Sequence, residues 1–341
     1  MTRVDIGVFA HNEADGIARM LKGLMQQETT GLDVKIFVLA NGCKDDTVSR
    51  ARELIRTDKS MRSNVSIEVV DLPLPGKSRT WNTFVHELSR PDADVLIFSD
   101  ADIELPEADS LLHLIDGLAS SPNLYGFNSH PIKDIVYRPQ NLSLTDKVIA
   151  SGSETLNEWK TAICGSLYAM PAGRARTLHM PIGLAVEDGF LRAMILTDVM
   201  SIEEDFTRLD GGSVFHIFAA ERSVSALIRH QTRLVIGTAI NIAIFDHLRA
   251  LPMGRRRAAL AEAASQETWL PNVIRSRLPR WPFGWIPFHC LTKRVLFISR
   301  EPRKLLRPQR FFILVVGLGF DLVVYVNAQI KMARGTGAGY W

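Results

Sequence analysis

The sequence predicts an α/β fold: a mostly parallel sheet with helices on both faces, followed by a helical region of different character. Three observations carry this expectation. Strand-length apolar runs alternate with helical periodicity from Val4 to Leu118. One of those runs, Ala93 to Ser99, delivers Asp100 and Asp102 at its carboxyl end, where open α/β sheets bind nucleotides. Beyond residue 248 the charge balance reverses, which marks a second region.

The elements follow in order. Val4 to Ala10 reads as a buried strand, and Glu13 to Gln26 carries Ile17, Met20, Leu21 and Leu24 at helical spacing. Val34 to Ala40 is a second strand. Asp45 and Asp46 then place acids at the head of a helix through Arg56, as the helix dipole favours. Val65 to Val70 is the third strand. Pro73-Leu74-Pro75-Gly76 turns the chain into a helix from about Ser78 to Leu88, and Val95 to Ser99 is the fourth strand. A helix spans Pro106 to Leu118. The stretch 120 to 180 is less regular, with a strand over Gly165 to Met170 and a short helix over Ala172 to Leu178. Glu187-Asp188-Gly189 opens a helix through Leu196, and a long helix runs from Ser223 to Leu248. The expected division is 1–220 for the sheet and 221–341 for the helical region.

A chain of 341 residues with 46% apolar and 23% charged residues has a substantial core and is not disordered. Its net charge of +3 hides an acidic front, 24 Lys/Arg against 33 Asp/Glu up to residue 248, and a basic belt, 14 against 3 over 249–310. Cys43, Cys164 and Cys290 are too scattered for a metal cluster and odd in number for a disulfide framework, so they read as reduced thiols of a cytosolic protein. No basic-then-apolar leader precedes Val4.

Asp100-Ala101-Asp102 can present two carboxylates to one hard cation, because alternate residues of an extended chain face the same way. A solvated acidic turn is the plainer account of such a pair taken alone. Four further segments accompany it: Phe9-Ala10-His11-Asn12-Glu13, Asn41-Gly42-Cys43-Lys44-Asp45-Asp46-Thr47, Gly76-Lys77-Ser78-Arg79, and Glu187-Asp188. In this order over residues 4 to 196 they resemble the inverting family 2 glycosyltransferases of GT-A fold, the Rossmann-like architecture of nucleotide-diphospho-sugar transferases.

That resemblance implies roles. His11, Glu13, Asn41, Lys77, Arg79, Asp100 and Arg233 would lie at the donor nucleotide. His11 would sit against its base, and the Asn41 amide oxygen would accept from the base ring where relatives often carry Asp. Asp100 would approach the ribose and a Mg²⁺ or Mn²⁺ ion, and Asp102 would bind that ion directly. Asp188 would be the general base that takes the acceptor proton, with Glu187 contacting the acceptor or supporting the turn. Asp45, Asp46 and Thr47 are assigned to capping the following helix. Arg229-His230-Gln231-Thr232-Arg233-Leu234 matches the Gln/Arg-x-x-Arg-Trp motif of membrane-embedded members only at Arg233, which weakens the case for processive synthesis.

In the basic belt, Trp281, Phe283, Trp285 and Phe288 stand among Arg275, Arg277 and Arg280, a mixture suited to a membrane–water interface. It would also suit single-stranded nucleic acid, or packing against the sheet; behind a GT-A domain, lipid is favoured and no nucleic-acid partner is expected. Phe311 to Val326 is 16 apolar residues interrupted by Asp321, short of a span. A monotopic anchor is therefore favoured over a single span, with Arg303, Lys304, Arg307 and Arg310 on its cytosolic flank. The expected activity is metal-dependent transfer of a sugar from a nucleotide donor, a UDP-sugar by analogy, to a lipid or lipid-linked saccharide at the cytosolic face of the inner membrane. The alternatives are a processive polysaccharide synthase and a catalytically silent donor-binding or membrane scaffold subunit.

Overall fold

The computed structural model describes residues 1–58, 60–139, 159–163, 165–278, 285–288 and 308–335, the side chains of the last segment only from 314 onward. Cys164, Arg280, Trp281, Phe283, Cys290, Arg303, Lys304, Arg307 and the side chain of Arg310 lie outside the described residues.

The four apolar runs of the front half become β1 (Thr2–Ala10), β2 (Leu32–Asn41), β3 (Val65–Leu72) and β4 (Val95–Asp100), paired in parallel in the order β3-β2-β1-β4. The helices α1 (Ile17–Met25), α2 (Thr47–Thr57), α3 (Lys77–Thr83) and α4 (Ser110–Ala119) connect or follow them. Alternate strand residues feed two buried clusters. Ile36, Val38 and Ile97 face α1 and α4, whereas Phe37, Leu39 and Phe98 face Trp81 and Phe84. Because β1 and β4 are covered on both faces over most of their length, their sequences read as largely apolar runs, whereas the edge strand β3 alternates with Ser and Glu.

Beyond β4 the sheet is mixed rather than parallel. Its full order is β3-β2-β1-β4-β7-β6-β8-β5, with β5 (Ile103–Glu104), β6 (Gly126–Lys133), β7 (Leu167–Pro171) and β8 (Leu209–Phe218). β7 runs antiparallel to β4 and β6, β5 antiparallel to β8, and only β6 and β8 pair in parallel. Neither β6 nor β8 was expected, because His, Pro, Asn and a Gly-Gly pair interrupt their patterns. The glycines of β8 answer to packing. A Cβ on Gly211 would lie 2.2 Å from the Trp159 ring, and one on Gly212 2.8 Å from Phe127.

Three boundaries differ from expectation. α1 starts at Ile17, not Glu13, because Asn12 takes a left-handed φ of 56° and residues 14–16 form a turn. The helix of Lys77 begins one residue early and continues past Thr83 as a π-helix, Phe84–Leu88. After β4 the chain turns at Ala101-Asp102 instead of staying extended.

α5 (Glu187–Leu196) and α6 (Val224–Ala250) form as read, and α6 starts from Ser223, whose side chain accepts the Ala226 N–H. The basic belt holds two unforeseen helices, α7 (Met253–Ala263) and α8 (Trp269–Arg277). Its arginines partly serve packing: buried Arg256 donates to the carbonyls of Met200 and Leu251, and Arg257 pairs with Asp198 at 2.8 Å. α6 and α8 share one buried cluster with the sheet, in which Phe190 and Met194 of α5 meet Ile236, Ile240, Ile244 and Val273.

The last helix, α9 (Pro308–Ala333), is longer than the 16-residue apolar run suggested. Within it Leu314–Ala333, at mean hydropathy 1.4, is long and apolar enough to cross a membrane. Val324, Ala328 and Met332 are buried, while Val315, Val316, Leu322, Val323, Val326 and Ile330 are exposed. Gln329, a polar break in the sequence, turns inward: it accepts from the Trp285 and Ile286 N–H groups and donates to the Ile286 carbonyl at 2.9 Å.

Candidate active site

The carboxyl ends of β1 and β4 open onto a cleft of about 590 Å³. On the β1 side, His11 to Ala14 are stitched to the loop after β2. His11 Nδ1 lies 2.6 Å from the Asn41 carbonyl and so carries the proton, leaving Nε2 to accept from the Asn12 amide at 3.1 Å. The Lys44 N–H donates to Asn12 Oδ1, and the Glu13 N–H to Thr47 Oγ1, both at 2.8 Å. Asp45 accepts from Thr47 Oγ1 at 2.5 Å and from the Ala14 N–H at 3.0 Å. Asp45 and Thr47 therefore join two loops as well as starting α2.

Asp100 and Asp102 both line the cleft, brought there by the turn after β4, which the Ala101 N–H bond to the Phe9 carbonyl at 3.0 Å secures. Glu13 lines the same wall, and its carboxyl reaches toward that turn: a Cβ on Gly16 would lie 3.2 Å from Glu13 Oε2 and 3.7 Å from the Ala101 carbonyl oxygen. Burial and the charges of Asp102, Asp45 and Asp100 push Glu13 up to about 7. Burial outweighs the opposing pull of Lys77 on Asp100 and, with Asp102, raises it to about 6.

Glu187 and Asp188 reach the cleft from the first turn of α5. Asp188 Oδ1 accepts the Gly189 N–H at 2.7 Å, yet burial and the adjacent Glu187 lift its carboxyl to about 6. Gly165 backs the pair closely: a Cβ there would lie 3.4 Å from Asp188 Cβ. α6 presses on the same turn. Asn241 Nδ2 donates to the Val186 carbonyl at 3.0 Å, and a Cβ on Gly237 would meet Val186 Cγ2 at 2.2 Å. Gly237→Ala should therefore destabilise the fold by about 1–3 kcal/mol and slow turnover by moving Glu187 and Asp188; denaturant midpoints and rates measure the two effects.

The cleft thus gathers His11, Glu13, Lys77, Asp100, Asp102, Glu187, Asp188 and Arg233. Two residues expected at the nucleotide do not line it. Asn41 is fully buried, and its amide oxygen accepts the Gly76 N–H at 2.9 Å. Arg79 points to the start of α8 and pairs with Glu267 at 2.8 Å. Lys77 is in the cleft, but its ammonium lies 2.6 Å from Asp100 and 3.1 Å from Glu187. The sequence reading missed Lys133 and Glu221, which line the opposite wall near His230 and Arg233. Lys133 ends β6 and Glu221 follows the end of β8, the strands whose patterns gave no signal. Glu107, Asp109 and His113 form a separate acidic group at the head of α4, outside the cleft lining.

Residues 5–166 match the model of the family described as Glycosyl transferase family 2. Among solved structures, the mannosyltransferase PcManGT from Pyrobaculum calidifontis, in complex with GDP-Man and Mn²⁺, is 16% identical and aligns with 96% of this chain and 86% of its own at a TM-score of 0.55. Glucosyl-3-phosphoglycerate synthase from Mycobacterium tuberculosis, in complex with Mg²⁺ and uridine-diphosphate, is 17% identical and covers 71% and 77% at a TM-score of 0.44. No curated protein sequence matches the chain. At such identity the likeness to PcManGT is one of fold, and it agrees with the parallel front sheet and the acid-lined cleft at its carboxyl edge. Residues 5–166 of this chain thus match the family 2 glycosyltransferase model, and the chain has a fold of the GT-A kind.

Proposed function

We propose that the chain transfers a sugar, with inversion, from a nucleoside-diphosphate donor to a hydroxyl of a lipid or lipid-linked saccharide at the cytosolic membrane face. The observation that supports this reading is the single cleft shared by Asp100, Asp102 and Asp188. On the β1–β4 side the carboxylates of Glu13, Asp100 and Asp102 share one wall, and burial together with the neighbouring charges raises Glu13 to about 7. That excess of negative charge fits a divalent cation. Asp100 and Asp102 would hold Mg²⁺ or Mn²⁺, whose charge offsets that of the departing diphosphate. PcManGT, whose structure carries GDP-Man and Mn²⁺, has the same kind of fold.

The chain's own residues supply the rest. His11, with Nδ1–H fixed on the Asn41 carbonyl, presents its ring to the base. Asp188 takes the acceptor proton as the hydroxyl oxygen bonds to the anomeric carbon and the carbon–phosphate oxygen bond breaks. Arg233, on the first half of α6, faces the diphosphate across the cleft. The exposed apolar side chains of α9 support membrane attachment.

UDP- and GDP-sugars offered with Mn²⁺, with and without EDTA, test the reaction. Vesicle flotation and lipid acceptors test the membrane part. Release of free sugar or product that EDTA abolishes is expected; a protein that binds no nucleoside diphosphate under any divalent ion would refute the reading.

A further inference from the structure

We infer that Lys77 is a positioning residue that ties the metal-side carboxylate Asp100 to the acidic pair at the head of α5, and not a ligand of the donor diphosphate. The inference rests on the reading of Asp188 as the base. Three oxygens from three separate segments surround the Lys77 ammonium. They are Asp100 Oδ1 at 2.6 Å, Glu187 Oε1 at 3.1 Å and the Gly165 carbonyl at 3.2 Å. The ammonium donates to the Gly165 carbonyl and forms ion pairs with both carboxylates, so its charge is directed at protein atoms. The side chains of Lys77, Asp100 and Glu187 are only 15%, 19% and 16% exposed, so water does little to screen them.

The backbone under Lys77 is itself fixed. Gly76 adopts φ 135°, which favours glycine, and its N–H is held by the buried Asn41 amide oxygen at 2.9 Å. Asn41, expected at the base, thus sets where α3 begins and where Lys77 points. At the far end, Gly165 supplies both a carbonyl to Lys77 and the close backing behind Asp188. One cation therefore fixes the end of β4, the 165 backbone and the first turn of α5 relative to one another. Without it, Asp100 and Glu187 would face each other as stranded like charges.

Lys77→Met and Lys77→Arg, made in the full chain, test this with three readouts. In ligand-free protein, amide exchange over 165–167 and 187–191 should quicken about tenfold in Lys77→Met while β1 and β2 are unchanged. Calorimetric titration of UDP and GDP with Mn²⁺ should change affinity by less than about threefold, whereas saturated turnover should fall about 100-fold, the cost of a displaced catalytic group. Glu187→Gln added to Lys77→Met should restore part of that loss, because it removes the stranded charge. Lys77→Arg should keep the fold and the affinity and lose about tenfold in turnover. Unchanged exchange in Lys77→Met, or diphosphate affinity lowered about 30-fold in either variant with turnover intact, would overturn the assignment. Failure of the wild-type protein to bind any nucleoside diphosphate would instead sink the proposed function, since the exchange measurement needs no ligand.

Discussion

Asp188→Asn should lower sugar transfer by about 10²–10⁴-fold, the usual worth of a positioned general base, and leave nucleoside-diphosphate binding intact. The amide keeps an oxygen to accept the Gly189 N–H, so the turn should hold its shape. What is lost is the capacity to take a proton. Because burial and Glu187 raise the wild-type carboxyl to about 6, the rate profile should fall on the acid side with a midpoint near that pH. The sign for stability runs the other way. A carboxyl whose folded pKa is raised favours the protonated fold, so its ionisation costs stability as pH climbs from the ordinary 3.8 through about 6. Asp188→Asn escapes that cost and should melt higher than the wild type above that pH. A variant that turns over normally would end the assignment of Asp188 as base.

Asp102→Asn should abolish Mn²⁺-supported donor binding as well as transfer. A neutral amide at a hard-cation position forfeits a charged ligand, and the affinity loss should exceed the roughly 10–100-fold typical of losing an outer-shell partner. The variant carries an internal check on placement. After burial, Asp102 is the strongest of the charges that raise Glu13, so Glu13 should titrate below about 7 once Asp102 is neutral. Calorimetry with Mn²⁺ and UDP or GDP reads the first effect, and carboxyl titration by NMR the second. Donor binding at wild-type strength would remove Asp102 from the metal site.

The contrast between Asp102 and Asn41 shows what the sequence could disclose. Buried strands β1 and β4 announce themselves because both faces are covered, and the residues at their carboxyl ends share an edge by topology alone. His11, Glu13, Asp100 and Asp102 were therefore legible together. Asp188 was legible only through the order of the motifs, because acids at a helix start are common for electrostatic reasons. Asn41 and Arg79 sit at equally suggestive positions, yet their partners, Gly76 and Glu267, are 35 and 188 residues away in sequence. No local pattern could reveal those bonds. β6 and β8, with the Lys133 and Glu221 they deliver, were hidden by His, Pro and Gly, whose poor strand preference is overridden by packing against Trp159 and Phe127. α7 and α8 hid behind a charge run that looked like a surface belt until Arg256 was found buried.

The shared cluster that joins α5, α6 and α8 has a consequence for how such a protein could change. Ile236, Ile240 and Ile244 share one buried cluster with Phe190, and Gly237 lets α6 touch Val186. A tail borrowed from another enzyme would have to reproduce both the filling and the notch, or the two acids would shift. The helices behind the cleft and the acids that line it are thus bound to evolve in step.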